Sequence, residues 1–128
     1  VKGAHGVTVQ ADLTLDEVNW DFIESLEKFE PVGYHNPMPL FLARGLRVEA
    51  AEGIGKENAH LRLMARHAGA KVFKMIGFFL ADTRKGGEDW SKSLRMGDRI
   101  AAAIEVGVNE WNGNREIQFK IVDLRKCE

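Results

Sequence analysis

The chain has 128 residues, of which 45% are hydrophobic and 29% are charged, and its formal net charge at pH 7 is −1. This length and composition suffice for one globular domain with a hydrophobic core. Apolar runs are shorter than the roughly 18 residues of a membrane span, and no secretion signal begins the chain, so we expect no membrane partner. The single cysteine, Cys127, excludes an internal disulfide and is typical of a cytoplasmic protein. Because the first residue is Val1, we expect an excised or processed piece of a longer protein.

Charge is divided unevenly along the chain. Residues 1–32 carry seven acidic and two basic side chains, a net charge of −5. Residues 33–128 carry 16 basic and 12 acidic side chains, a net charge of +4. Only this second part is expected to attract the phosphates of a nucleic acid.

The first part of the chain is predicted to be a linker followed by a short helix. Thr14 and Glu17 have the spacing of a capping box, and Asn19 is a second candidate for the helix N-cap. Apolar residues then recur at the intervals of one helical face, namely Val18, Phe22, Ile23, Leu26 and Phe29. Pro31 is predicted to end the helix, and the glycine and prolines of residues 33–39 predict a stiff, irregular connection.

Alternation of apolar and polar residues predicts five β-strands in the rest of the chain. The strands are expected within residues 40–50, 60–66, 72–80, 100–108 and 117–121. On the first strand the pattern assigns one face to Leu40, Leu42, Leu46, Val48 and Ala50. A short helix is expected around Glu88 to Leu94, and Asn112-Gly113 predicts a hairpin between the last two strands.

Five strands with a helix between the third and fourth predict a mainly β fold, a five-stranded OB-type barrel preceded by a short helical segment. An SH3-like barrel and a five-stranded sandwich have similar alternation and remain alternatives. The predicted boundary divides a lead-in, residues 1–39, from the barrel domain, residues 40–128.

Motifs for catalysis are missing from the sequence. The four histidines have no metal-ligand spacing with one another or with Cys127, and there is no Gly-x-Ser-x-Gly elbow. Gly53-Ile54-Gly55-Lys56 lacks the spacing of a phosphate loop and the hydroxyl residue after the lysine. We therefore predict no catalytic residue, no metal ligand and no cofactor in this chain.

The polar face of the predicted barrel is the candidate binding surface, because alternate side chains of a barrel strand point outward. Its candidate cations are His60, Arg62, Arg66, Lys71 or Lys74, Arg115 and Lys120. Aromatic residues near them in sequence are Phe73, Phe78, Phe79 and Trp111. Cations that track phosphates beside rings that stack on bases are typical of proteins that bind single strands.

Several segments resemble RecJ-type exonucleases. Residues 26–41, with Asn36-Pro37-Met38-Pro39, are similar to the stretch that joins the catalytic core of that family to its OB domain, although Phe29 and Val32 replace the usual Leu and Phe. Further similar segments are Gly55-Lys56, His60-Leu61-Arg62-Leu63, Ile76-Gly77-Phe78, Gly97-Asp98, and the hairpin from Asn109 to Arg115 with Gln118 and Asp123. The resemblance covers roughly Asp12 to Arg125.

The resemblance implies a parent enzyme that degrades single-stranded DNA from the 5′ end with Mn²⁺ or Mg²⁺, in DNA repair and recombination. Residues 1–39 would be the C-terminal part of the preceding catalytic-core domain, and residues 40–128 the OB domain. The chain has no Asp-His-His motif, so this part alone is predicted to be inactive. The strand-binding positions that the resemblance implies are Lys56, His60, Arg62, Phe78, Trp111 and Arg115. Alternation adds Lys74.

Two other functions remain open from the sequence. The barrel could be a structural or protein-docking domain that braces the catalytic core or contacts a single-strand-binding protein. It could also be an OB domain from a different nucleic-acid enzyme, such as an anticodon-binding domain, which would prefer structured RNA. In the first of these cases we expect Trp111 to be buried against another domain.

Overall fold

The computed structural model describes residues 11–29, 40–84 and 87–127. The regular elements in chain order are β1 (Ala11–Asp12), α1 (Trp20–Phe29), β2 (Leu40–Ile54), β3 (His60–Arg66), β4 (Val72–Gly77), α2 (Trp90–Ser93), β5 (Arg99–Trp111) and β6 (Asn114–Cys127). Two short 3₁₀ turns, Leu15–Glu17 and Lys56–Asn58, complete the set. In the ranges described, no helix is both long enough and apolar enough to cross a membrane.

Strands β2 to β6 form a closed five-stranded barrel. The sheet order is β1-β2-β3-β4-β6-β5, and β2 also pairs with β5, which closes the sheet on itself. Neighbouring barrel strands are antiparallel except β4 and β6, which are parallel. Helix α2 lies between the third and fourth barrel strands in the chain. The predicted mainly β, OB-type barrel is therefore confirmed.

The prediction of which β2 residues face the core is wrong in part. The residues that point into the barrel are Phe41, Ala43, Leu46 and Val48, whereas Leu42 is half-buried and Ala50 is exposed. The cause is a bulge, because the pairing of β2 with β5 shifts between Ala43 and Leu46, where Gly45 has a φ of 75°. A second shift, between Val48 and Ala50 in the pairing with β3, turns Ala50 outward.

The third barrel strand is shorter than predicted. Strand β4 ends at Gly77, and the chain then turns, so that the amide of Leu80 donates a hydrogen bond to the Gly77 carbonyl oxygen at 3.4 Å. A Cβ atom at Gly77 would collide with the Leu80 side chain, which would have to shift to accommodate any other residue there. The run of apolar residues therefore continues past the strand as an exposed turn.

The predicted lead-in helix forms, but Thr14 does not cap it. Thr14 precedes the 3₁₀ turn and makes no side-chain capping bond, whereas Asn19 Oδ1 accepts a hydrogen bond from the Phe22 amide at 2.9 Å. Val18 and Ile23 are buried, and the Phe22 ring packs edge-on against Phe41. The predicted roles of the Leu26 and Phe29 side chains, of Pro31 and of residues 33–39 lie outside the part that the structure describes.

The lead-in and the barrel share one hydrophobic core. Leu13, Leu15, Val18 and Ile23 belong to the same cluster of buried residues as the inward side chains of all five barrel strands. Strand β1 also pairs in parallel with the start of β2. Burial of these side chains holds the lead-in against the barrel, each contributing roughly 1.5–3 kcal/mol when fully buried.

His67 connects the lead-in to the bulge of β2. Its Nδ1 accepts a hydrogen bond from the Leu15 amide at 2.9 Å, and its Nε2 lies 2.7 Å from the carbonyl oxygen of Arg44. Both bonds are satisfied by the neutral ring with its proton on Nε2. Next to it, Asp16 Oδ1 accepts a hydrogen bond from the Ala68 amide at 2.8 Å. The β3–β4 loop thus holds the first turn of the lead-in.

We expect His67→Ala to lower the free energy of unfolding by about 1–3 kcal/mol, because it leaves the amide of the fully buried Leu15 without an acceptor. Urea unfolding of the chain measures the change. His67→Asn is the matched control, since its side-chain oxygen can accept the same amide hydrogen bond and should retain most of the stability. Equal losses in the two variants would contradict the assigned role.

Candidate nucleic-acid interface

Alternation on β3 and β4 creates a polar outer face on the barrel. Leu61, Leu63 and Ala65 are fully buried, and the residues between them point outward, as predicted. We use the name outer wall for seven outward-facing side chains of β3, β4 and β6, namely His60, Arg62, Met64, Lys74, Ile76, Gln118 and Lys120. Strand register places Arg62 beside Ile76 and Met64 beside Lys74.

The parallel pairing of β4 with β6 extends the outer wall to a third strand. Ile76 is in register with Lys120, so Arg62, Ile76 and Lys120 form a row across three strands. Lys74 is exposed and lines an open groove of about 380 Å³ along the seam between β4 and β6. Lys71 and Gln118 line the same groove. The structure therefore brings Arg62 and Lys74 together on one surface.

Two of the outer-wall cations already have carboxylate partners. Arg62 is paired with Glu52, its neighbour across β2 and β3, and Lys120 Nζ lies 3.8 Å from Glu105 Oε1. Exposed pairs of this kind contribute about 0–1 kcal/mol each. By contrast, no ion pair is found for Lys74 within the described part of the chain.

An aromatic corner, His60, Phe78 and Phe79, lies where β3 begins and β4 ends. The ring centroid of His60 is 5.3 Å from that of Phe78 and 4.6 Å from that of Phe79, both edge-on. The Phe79 amide donates a hydrogen bond to His60 Nδ1 at 3.0 Å. Lys120 Nζ lies 5.5 Å from the Phe78 ring centroid, a cation–π distance. The corner thus joins the outer wall at Lys120.

Phe79 is an exposed ring on a strained backbone. Its side chain is 61% exposed, more than that of Phe78 at 47%, and its φ is 62°. Left-handed backbone costs roughly 1–2 kcal/mol for a residue with a bulky side chain. In the sequence both rings are aromatics near the cations, and the family resemblance assigns strand binding to Phe78 alone. Nothing in the apolar run indicates that Phe79 leaves the strand. Such strain at an exposed ring makes Phe79 a candidate functional residue.

Lys56 lies beside the aromatic corner. It begins the 3₁₀ turn between β2 and β3 and lines an open recess of about 340 Å³ with His60, Phe79 and Arg84. A hydrogen bond with Asp82, and then the charges of Asp82 and Glu57, raise the pKa of the Arg84 guanidinium above its ordinary value. Arg84 therefore stays cationic, and its charge is largely compensated by these two carboxylates.

The last two predicted site residues, Trp111 and Arg115, point to opposite faces of the β5–β6 hairpin. Trp111 pairs with Asn114 around the Asn112-Gly113 turn, where both turn residues have positive φ, as the sequence predicts. Trp111 is 43% exposed, so its side chain is not buried within the described part of the chain. Trp111 points to the same side of the sheet as Gln118. Register pairs Gln118 with Gly107, and Trp111 lies four residues after Gly107 on β5, an even interval that keeps the same side.

Arg115 points to the other face of this hairpin. It is in register with Glu110, and its Nε lies 3.2 Å from Glu110 Oε1. Its guanidinium carbon is 4.9 Å from the ring centroid of Trp20, the first residue of α1. The structure therefore places Arg115 against the lead-in helix and away from the outer wall.

No grouping of three or more His, Cys, Asp or Glu side chains that could hold a metal ion is found among residues 11–29, 40–84 and 87–127. This surface can contact a polymer that carries both negative charge and planar bases. Guanidinium and ammonium groups meet anionic phosphates, and exposed rings meet bases.

Comparison with known proteins identifies the family of this chain. A family model described as RecJ OB domain matches residues 9–123. The single-stranded-DNA-specific exonuclease RecJ of Bacillus subtilis is 24% identical over 114 residues, which are 89% of this chain and 14% of that protein.

Solved structures of RecJ from Thermus thermophilus are similar as well. The complex with Mn²⁺ is 28% identical over 95% of this chain and 16% of that one, with a TM-score of 0.62. The complex with Mg²⁺ is 29% identical over 83% of this chain and 14% of that one, with a TM-score of 0.52. The chain thus spans only 14–16% of the length of these relatives.

We expect Phe79→Asn to leave the free energy of unfolding unchanged or to raise it by up to about 1 kcal/mol, because asparagine tolerates the left-handed backbone better than phenylalanine. Chemical denaturation measures the change. Phe78→Asn is the matched control, because it removes a similar exposed ring without relieving strain. A loss of stability larger in Phe79→Asn than in Phe78→Asn would show that the Phe79 ring is kept for packing.

Proposed function

Because the chain belongs to the RecJ OB domain family, we propose that its outer wall binds single-stranded DNA and guides the strand toward the metal site of a RecJ-like 5′-to-3′ exonuclease. The observation that carries the proposal is the placement of Arg62, Lys74 and the aromatic corner on one continuous face. OB folds bind oligonucleotides on the face of their second and third strands, which are β3 and β4 in this barrel.

The loops that flank the proposed binding face supply two further contacts. Lys56 lies in the loop between the first and second barrel strands, and Trp111 lies at the loop between the fourth and fifth. Loops at these two places flank the oligonucleotide-binding face of OB folds. We assign strand contact to Lys56, His60, Arg62, Lys74, Phe78 and Trp111. Arg115 acts indirectly in this scheme, since it holds the hairpin against Trp20.

Charge pairing on the outer wall leads to a modest salt dependence. Arg62 and Lys120 are paired with carboxylates and contribute less net charge, so we expect Lys56 and Lys74 to make most of the phosphate contacts, with Lys71 beside Lys74 in the groove. Each phosphate neutralised on a single strand contributes about −0.7 to the slope of log affinity against log salt. We therefore propose that two or three phosphates are contacted, with a slope of about −1.4 to −2.1 and much of the affinity from stacking.

The rest of the parent protein supplies the chemistry in this proposal. The Bacillus relative is named a single-stranded-DNA-specific exonuclease, and the Thermus structures are complexes with Mn²⁺ and Mg²⁺. We assign hydrolysis and metal binding to domains outside this chain, with residues 1–39 as the link to the catalytic core. The same proposal includes a cytoplasmic role in DNA repair and recombination, with a single-strand-binding protein as a further partner.

A structural or protein-docking function is the second candidate. Trp20 and Trp111 are each 43% exposed near the β5–β6 hairpin, a combination that suits contact with another domain. In that case the hairpin braces the catalytic core or meets a single-strand-binding protein, and the outer wall stays free of nucleic acid. Tryptophan is enriched at the centres of protein interfaces, which gives this candidate its physical basis.

We expect the chain to bind fluorescein-labelled oligodeoxythymidylate and Trp111→Ala to weaken binding by about 1–3 kcal/mol, the contribution of one stacked base. Arg62→Ala should also weaken binding. Lys74→Glu should lower the magnitude of the salt slope by about 0.7, because one phosphate contact is lost. Fluorescence anisotropy at several salt concentrations measures both quantities, with single-stranded RNA and duplex DNA as competitors.

Lys92→Glu is the matched control for charge, since Lys92 is exposed on α2, outside the outer wall. It should change neither affinity nor slope beyond a small general effect. If the chain binds no single strand at low salt, the strand-binding proposal fails and the docking function is favoured. A preference for structured RNA would instead indicate a different nucleic-acid substrate.

A further inference from the structure

Three arginines stand directly opposite one another across three adjacent strands. Arg47 of β2 is in register with Arg66 of β3 on one side and with Arg99 of β5 on the other. Arg47 and Arg99 are exposed and Arg66 is half-buried, and all three point away from the barrel interior. We call these three residues the arginine row.

Only one arginine of the row has a carboxylate partner among the residues that the structure describes. Arg66 Nη2 lies 3.2 Å from Glu49 Oε1. Among residues 11–29, 40–84 and 87–127, no ion pair within 4.0 Å is found for Arg47 or Arg99. Asp98, next to Arg99 in sequence, lies 3.6 Å from Lys126 Nζ instead. The row therefore carries a net positive charge, unlike the paired cations of the outer wall.

Without a bound anion, repulsion within the arginine row lowers the stability of the folded protein. Like charges directly opposite each other on neighbouring strands destabilise a sheet, and Arg47 meets one on each side. An anion that bridges neighbouring guanidinium groups would remove the repulsion. Arginine presents a planar fork of N–H donors that matches the oxygens of a phosphate, with shorter and stronger hydrogen bonds than neutral donors make.

The position of the row identifies the anion. Arg66 is on β3, the strand that carries His60 and Arg62 of the outer wall, so the row continues that wall around the barrel. Among the described residues, Trp20, Phe78, Phe79 and Trp111 are the exposed aromatic side chains of large area, and none of them pairs with a residue of the row. The row thus offers charge without stacking, which suits a sugar-phosphate backbone.

We infer that the arginine row is a second contact for single-stranded DNA, where phosphates of a strand leaving the outer wall bind independently of the bases. This inference rests on the proposed function and extends the strand path from β3 across β2 to β5. Arg47 and Arg99 lie on β2 and β5, beyond the strands of the outer wall, so we expect these two residues to act mainly on longer strands.

The binding test compares two lengths of oligodeoxythymidylate, one of about 4–16 nucleotides, the site size of an OB fold, and one about twice as long. The variant is Arg47→Gln with Arg99→Gln, and Lys92→Gln is the control, because it removes an exposed cation on α2, away from the row. We expect wild-type affinity for the short strand. On the longer strand the magnitude of the salt slope should fall by about 1.4, because two phosphate contacts are lost.

A stability test examines the repulsion without any nucleic acid. Arg47→Glu places a carboxylate between Arg66 and Arg99, so this variant should melt at a higher temperature than wild type, and higher than Arg47→Gln. An unchanged or lower melting temperature would contradict the uncompensated repulsion on which the inference depends. Melting of the double variant in the same experiment shows whether the protein used in the binding test folds.

The outcomes separate the two proposals. Absence of wild-type binding to either strand overturns the proposed function and the row together. Normal short-strand binding, with no difference between the double variant and wild type on the longer strand, overturns the row alone. If the double variant binds the longer strand as wild type does but no longer binds a polyglutamate peptide, the row is assigned to an acidic protein segment. This outcome also overturns the phosphate contact.

Discussion

Closure of the barrel is the constraint on which both candidate surfaces depend. Strand β2 pairs with β3 on one side and with β5 on the other, and the short parallel pairing of β4 with β6 completes the ring. A closed sheet has one interior, so each side chain of a barrel strand points either into the core or out to solvent. Apolar residues fill the interior, and the outward residues are therefore free to carry charge and exposed rings without disturbing the packing.

The two surfaces differ in how their charges are compensated. On the outer wall, Arg62 and Lys120 have carboxylate partners on neighbouring strands, which reduce the net charge of these two positions. In the arginine row, Arg47 and Arg99 have no such partner among the described residues, so repulsion remains. In the proposed strand path, stacking dominates on the first surface and phosphate contact on the second.

Irregular backbone occurs where the regular barrel meets other parts of the chain. The bulge of β2 exposes the Arg44 carbonyl oxygen that His67 reaches, and His67 in turn accepts the Leu15 amide of the lead-in. At the other end of β3, the turn after Gly77 places Phe79 on a left-handed backbone against His60. Both places depend on a histidine that uses ring nitrogen atoms as hydrogen-bond partners of the backbone. Neither histidine has the sequence spacing of a metal ligand.

Local pattern by itself determined the number and order of the barrel strands, the helix between the third and fourth, and the outward direction of His60 and Arg62. These features follow from a period of two and from Asn-Gly turn chemistry, which depend on neighbouring residues alone. Tertiary structure decided the face of β2 beyond its bulge, the turn of Arg115 toward Trp20, the pairing of Arg62 with Glu52, and the alignment of Arg47 with Arg66 and Arg99. Those outcomes depend on strand register, because register is set by the joint packing of side chains from distant segments around one closed core.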